Sequence, residues 1–175
     1  MSTRIHDIRS KRHAFTLVEI LIVIIILGIL ATIVIPQISS ASQQARENSL
    51  KDDLRFMRTQ VGVFSVQHKD VAPGYPSGDR TATPDEPTFQ DHMLLFSDQY
   101  CATSATGSAV YKFGPYLSRM PANPINGLTT VIVVANGASM PAADDSTGWI
   151  YKPQTLQFRA NMTGIDANGK LYSDY

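Results

Sequence analysis

The sequence predicts an α+β protein in which one long N-terminal helix packs against a small antiparallel β-sheet. Three observations predict it. An almost unbroken apolar run extends from Phe15 to Ile35, an apolar stripe recurs mostly every three or four residues from Ile38 to Phe64, and short alternating segments follow residue 110. A helix followed by a run of short strands is the α+β pattern, with the sheet covering the helix's apolar stripe.

The first element is the apolar run. From Phe15 to Ile35 there are 21 residues, and the one strongly polar residue among them is Glu19. At ~1.5 Å per residue a helix of that length covers roughly 30 Å, the thickness of a bilayer's hydrocarbon core. The spacing therefore predicts one membrane-spanning helix, residues 15–36, with a carboxylate inside its first turns. A charge in hydrocarbon costs on the order of 2.5–3.5 kcal/mol and normally has a partner. Two readings of Glu19 stand. It can lie near the span's end, suiting the positive pole of the helix and snorkelling. Or, if the chain is cut between Ala14 and Phe15, it can pair with the new ammonium on Phe15 of a neighbouring helix, rewarding packing in one axial register.

Lys11-Arg12-His13-Ala14-Phe15-Thr16-Leu17-Val18-Glu19 resembles the prepilin cleavage and methylation site of type IV pilins and type II secretion pseudopilins. The resemblance implies cleavage after Ala14, methylation of the new terminus at Phe15 and an assembly role for Glu19. Pro36 is similar to the family's proline where the span ends. Ala14 departs from the usual glycine, and both are small enough for a tight protease subsite. The resemblance is dense over residues 9–40 and looser beyond. Gln67-His68 with Tyr75-Pro76, then Tyr116-Leu117 with Pro121 and Asn123-Pro124, are similar to the major pseudopilin, pseudopilin G.

Charge fits an exported head. Residues 1–14 hold Arg4, Arg9, Lys11 and Arg12 against Asp7, a net +3. Positive flanks stay cytoplasmic, which sends the C-terminal part across the membrane. A secretory signal peptide fits less well, because its apolar core is only about 7–15 residues and a small-residue cleavage site follows. Without residues 1–14 the chain has 11 bases against 14 acids, which gives no broad footprint for nucleic acid. Cys101 is the one cysteine, so no disulfide forms within the chain.

Small residues Gly28, Ala31 and Thr32 share one side of the span, where they permit close helix packing or are simply tolerated facing lipid. Pro36 removes a donor and clashes with the carbonyl of Thr32, so a bend or loosening is expected there. The stripe Ile38, Ala41, Ala45, Leu50, Leu54, Met57, Val61, Phe64 predicts an amphipathic continuation over residues 37–70, to about Lys69. Gln43, Gln44, Arg46, Glu47, Lys51, Asp52, Arg55 and Arg58 read as its solvated face. Residues 71–88 are dense in Pro, Gly, Ser, Thr and Asp and read as an exposed loop. Phe89 to Phe96 is a short helix or a strand, and the pattern fits both. Strand candidates are Val110–Phe113, Thr129–Ala135, Trp149–Lys152 and Leu156–Arg159, the last two joined through Pro153-Gln154-Thr155 as a hairpin.

No catalytic constellation stands out. His6 and His13 lie in the expected leader. His68 and His92 are isolated from any ligand-like spacing, so packing or surface roles fit them best. Cys101 has no obvious base and reads as an inert thiol. Trp149, Tyr151 and Phe158 are spaced as sheet residues and read as core. Relatives in the resembled family often bind calcium in a C-terminal loop, which directs attention to Asp166-Ala167-Asn168-Gly169. The spacing fails the EF-hand pattern and is also that of an ordinary turn. No cofactor is expected, and calcium stays open at this point.

The chain is thus expected to be non-enzymatic, with a leader over 1–14, a span over 15–36, the helix continuation over 37–70 and a periplasmic head over 71–175. The resemblance implies a homo-oligomeric helical filament anchored in the bacterial inner membrane. The expected partners are the prepilin peptidase/methyltransferase, minor pseudopilins and the inner-membrane secretion platform. Two alternatives remain: a type IV pilus subunit for adhesion, motility or DNA uptake, and a single-span ligand-binding protein that never polymerises.

Overall fold

The computed structural model describes residues 15–175, with the backbone alone described over residues 33–39. The expected leader, with His6 and His13, lies outside the described residues. The chain divides into two units, one ending at Ser42 and one beginning at Gln43.

Helix α1 spans Leu17–Gln67, a single assignment of 51 residues that runs through Pro36. In the first unit the described large apolar side chains are all at least partly open to solvent. From Phe15 to Leu30 each is between 46% and 82% exposed. Thr32 turns its hydroxyl back onto the Ile29 carbonyl at 2.7 Å, satisfying itself locally. Among the described residues no helix is long and apolar enough to cross a membrane. Described side chains of the apolar run stop at Thr32, where α1 has risen about 24 Å, short of the ~30 Å a span needs. The last expected turn of the span falls on residues whose side chains lie outside the described set.

In the second unit the stripe on α1 is filled. Leu50, Leu54, Met57, Val61 and Phe64 are each 1% exposed or less. Ala41 and Ala45, expected on the same stripe, are exposed. Helix α1 ends where Asp70 N–H reaches back to the Ser65 carbonyl at 2.9 Å. Lys69 and Asp70 take left-handed backbone angles there (φ 56° and 62°). This is a Schellman stop built without glycine.

The loop after α1 is less exposed than expected, because Ala72, Pro73, Gly74 and Tyr75 are buried. Residues Glu86–Leu94 form α2, which settles the helix-or-strand ambiguity of that segment. Asp85 caps it, accepting from Thr88 N–H at 2.8 Å, and Pro87 sits in the first turn, where its missing donor costs nothing. Phe89 and Met93 point inward and are fully buried.

Two small sheets follow. Phe96–Ser97 (β1) pairs antiparallel with Thr103–Ser104 (β2). The second sheet orders Val131–Val133 (β3), Trp149–Lys152 (β4) and Gln157–Ala160 (β5). β4 and β5 make the expected antiparallel hairpin, with Tyr151 opposite Phe158. Pro153–Thr155 forms a tight turn between them, closed by Leu156 in the left-handed region at φ 55°. β3 joins in parallel, with Val131 opposite Trp149, so the sheet is mixed. Its register is tied to α2, since Glu86 Oε1 accepts from Val131 N–H at 2.8 Å. Val110–Phe113 is not a strand; only Phe113 pairs, in a bridge to Ser97. The core gathers Leu50, Leu54, Met57 and Val61 of α1 with Phe89, Met93, Leu117, Trp149, Tyr151 and Phe158. Gly148 is required, since a Cβ there would lie 2.1 Å from the Leu128 carbonyl oxygen.

Candidate assembly site at the start of the long helix

Thr16 and Glu19 close the start of α1 on itself. Glu19 Oε2 accepts from Thr16 N–H at 2.8 Å and from the Thr16 hydroxyl at 2.9 Å. In return Glu19 N–H donates to Thr16 Oγ1 at 3.2 Å. Two donors that the helix cannot use internally are satisfied reciprocally, which is a capping box. Its signature, Thr-x-x-Glu before an apolar run, stands in the sequence as Thr16-Leu17-Val18-Glu19. Thr16 is the residue that sequence reasoning passed over.

The expected site residues are placed as follows. Ala14 lies outside the described residues. Phe15 is 81% exposed and directly precedes the capping box. Pro36 lies within α1, and its side chain is outside the described set. The site that is brought together is therefore Phe15, Thr16 and Glu19. Gly28 faces open space, with nothing within 4 Å of the position its Cβ would take.

The histidines and the cysteine are structural. Phe64 stacks on His68 at 3.8 Å and on His92 at 4.9 Å between ring centroids. His68 Nδ1 lies 2.7 Å from the Phe64 carbonyl, which can only accept, so that nitrogen carries the proton and Nε2 takes the Ser97 hydroxyl at 2.9 Å. His92 Nδ1 accepts from Gly74 N–H at 3.1 Å, leaving Nε2 to donate to the Cys101 carbonyl at 3.1 Å. Burial lowers His92 to about 4, and lowers His68 as well. Cys101 is buried, and loss of solvent raises its thiol to about 11, so it is protonated and unreactive at neutral pH.

Glu47, expected on the solvated face, is buried, 2% exposed, and accepts from Tyr172 O–H at 3.1 Å and from Gln43 at 3.1 Å. Arg58, placed on the same face, donates to the Phe158 carbonyl at 2.9 Å.

The C-terminal loop is a hydrogen-bonded turn. Asp166 Oδ1 accepts from the backbone amides of Asn168 and Lys170, both at 2.8 Å, and Oδ2 accepts from Tyr175 O–H at 2.6 Å. These donors, the Tyr175 hydroxyl foremost, hold the carboxyl down near 2. Both oxygens of Asp166 are thus engaged within the loop. Among the described residues no three His, Cys, Asp or Glu side chains stand together.

Fold and terminus together define a class: a small α+β unit and one long helix whose first apolar turns are exposed among the described residues. The family described as the prokaryotic N-terminal methylation motif matches residues 9–35. Type II secretion system core protein G of Pseudomonas aeruginosa is 35% identical over 60 residues, 34% of this chain and 42% of that protein. The alignment thus spans less than half of that relative's length. Core protein G of Escherichia coli is 23% identical over 151 residues, 80% of this chain and 92% of the relative. The major component of the type IV narrow pilus of Thermus thermophilus is 30% identical over 100 residues, 57% of this chain and 83% of the relative. No solved structure matches significantly. The chain belongs to the family of type IV pilins and type II secretion pseudopilins.

Proposed function

We propose that this chain is a structural, non-enzymatic subunit of a pilus-like filament, the major pseudopilin of a type II secretion system. The observation that carries the reading is the state of the first helical turns. Thirteen large apolar side chains from Phe15 to Leu30 are exposed in sequence, with one carboxylate among them. In water such a surface is costly at ~25 cal/mol per Å2, so it is built for lipid and then for other copies. In this reading the precursor sits in the bacterial inner membrane through residues 15–36, with its N-terminus cytoplasmic and residues 71–175 periplasmic. Prepilin peptidase cuts after Ala14 and the Phe15 amine is methylated. The Phe15 ammonium then meets Glu19 of a neighbouring copy in a medium of low dielectric, drawing that carboxylate away from Thr16 and fixing the axial register. The inner-membrane secretion platform and minor pseudopilins are its assembly partners. Its C-terminal loop is held by the Asp166 bonds and needs no ion.

Mass spectrometry of the protein from its native membrane tests the reading. A methylated Phe15 terminus is expected, and an intact Met1 overturns it. A type IV pilus subunit is the second reading, favoured by the 83% coverage of the Thermus pilus component. Co-purification with secretion-channel components selects the pseudopilus, whereas recovery in cell-surface fibres selects the pilus.

A further inference from the structure

In the second unit, the face of α1 turned away from the core is not uniformly polar. Phe56, Val63 and Val66 are 48%, 38% and 77% exposed there. With Thr59, also exposed, they recur at spacings of three, four and three, the spacing of a seam between two supercoiled helices. Gly62 beside the row has nothing within 4 Å of the position its Cβ would take, which leaves room for a close approach. Asp52 and Asp70, both exposed, extend the row at its two ends. One flank carries Arg55 and Lys69, and the other carries Asp53, Gln60 and Gln67.

Charge decides how a second copy can lie on this row. An antiparallel copy sets the Arg55 and Lys69 flank against itself and brings Asp52 to Asp70 at both ends. A parallel copy in register sets Asp52 on Asp52 and Asp70 on Asp70. Like charges opposed in this way cost energy. A parallel copy displaced by one heptad, about 10.5 Å along the helix, separates all of these like pairs. Val63 then faces Phe56 of the neighbouring copy, Val66 faces Thr59, and Arg55 comes to Asp53 across the flank. Burial, and then the adjacent Asp52, raises the Asp53 carboxyl, so a cation arriving there relieves a standing cost.

We propose that this row is a second self-docking surface, taken by a parallel copy of the chain displaced by one heptad along α1. Resting on the filament reading, this contact adds to it a seam between second units. A displaced contact uses a different patch on each partner, so it does not close into a dimer and propagates as an open row. So short a row buries too little to hold two free copies together, and it serves copies already aligned side by side.

Disulfide formation in filaments sheared from cells tests the seam. Thr59→Cys and Val66→Cys are made singly and together in the full-length protein. Both positions are exposed, and Cys101 is buried, so the parent chain is the blank. Within one chain the two sulfurs stand about 10 Å apart and cannot join. Mild oxidation should leave each single variant monomeric on a denaturing gel and turn the double variant into a ladder. Dimers from either single variant overturn the displacement. Filaments of the double variant that yield only monomers overturn the seam and leave the filament reading standing, whereas a parent chain that forms no filaments overturns both. A charge exchange without added cysteines is the second measurement, read as filament yield. Arg55→Asp should lower the yield several-fold, and Arg55→Asp combined with Asp53→Arg should restore it. An unchanged yield in the first, or an unrecovered one in the second, overturns the pairing.

Discussion

The two halves of α1 both carry rows of large apolar residues, and the two rows end in opposite states. Between Leu50 and Phe64 the stripe positions Leu50, Leu54, Met57, Val61 and Phe64 are buried, while between Leu17 and Leu30 equally apolar positions remain exposed. The first half has more hydrophobic side chains and less to bury them against. Apolar content by itself therefore does not decide what is core. The deciding factor is whether the rest of the chain supplies a second layer, and beyond Gln43 it does.

The comparison can be broken at several points. The largest expected effect is Phe64→Ala, which removes the ring stacked between two buried histidines and should cost the head about 3–5 kcal/mol in urea unfolding. Ile25→Ala removes a side chain of similar apolarity, yet should leave head stability within about 0.5 kcal/mol and lower filament yield instead. Equal destabilisation by both would erase the contrast. Glu19→Ala should still insert into membranes but drop out of filaments, as measured by shearing and sedimentation. Normal incorporation would refute the pairing.

Acid should loosen the second unit and not the first. His92 is lowered to about 4 in the folded state, from 6.5 when unfolded, because burial opposes its charge. The folded protein thus binds the proton less readily than the unfolded chain. The stabilisation is fully present above pH 6.5 and is lost as pH falls toward 4, by up to about 3 kcal/mol. Protonated Nδ1 also ceases to accept from Gly74 N–H. Urea titrations at stepped pH should show this slope, and it should flatten in His92→Gln.

Smaller effects sharpen the picture. Thr16→Val deletes one half of the capping box and should cost the first turn about 1 kcal/mol, read as faster amide exchange at residues 16–19. Adding calcium or a chelator should leave the melting temperature unchanged, since Asp166 is already saturated with donors. Smallest of all, Tyr151→Phe should be neutral or stabilising by up to about 1 kcal/mol. The Tyr151 hydroxyl is buried without a partner, so removing it discards an uncompensated polar group.

Local patterns made much of this architecture legible. The three- and four-residue stripe announced Leu50, Leu54, Met57, Val61 and Phe64 as core, and alternation with a proline turn announced the β4–β5 hairpin. Pairings over long sequence distances were not legible. Glu47 looks like a solvated charge until Tyr172 arrives 125 residues later. β3 reads as a strand, but nothing nearby says that it will lie parallel to β4. Val110–Phe113 alternates as a strand should and lacks an edge to pair with, leaving Val110 62% exposed. At the terminus the sequence announced Glu19 as exceptional through its apolar setting. Its present bonds were written equally plainly three residues earlier, in Thr16, and the membrane argument overshadowed them.

The enclosed, protonated state of Cys101 bears on how a fibre of this chain would come apart. With its sulfur out of reach, no covalent bridge between neighbours can form through it in an oxidising compartment. Cohesion would then rest wholly on packing and charge, and such a fibre could shed and regain subunits without any reductant.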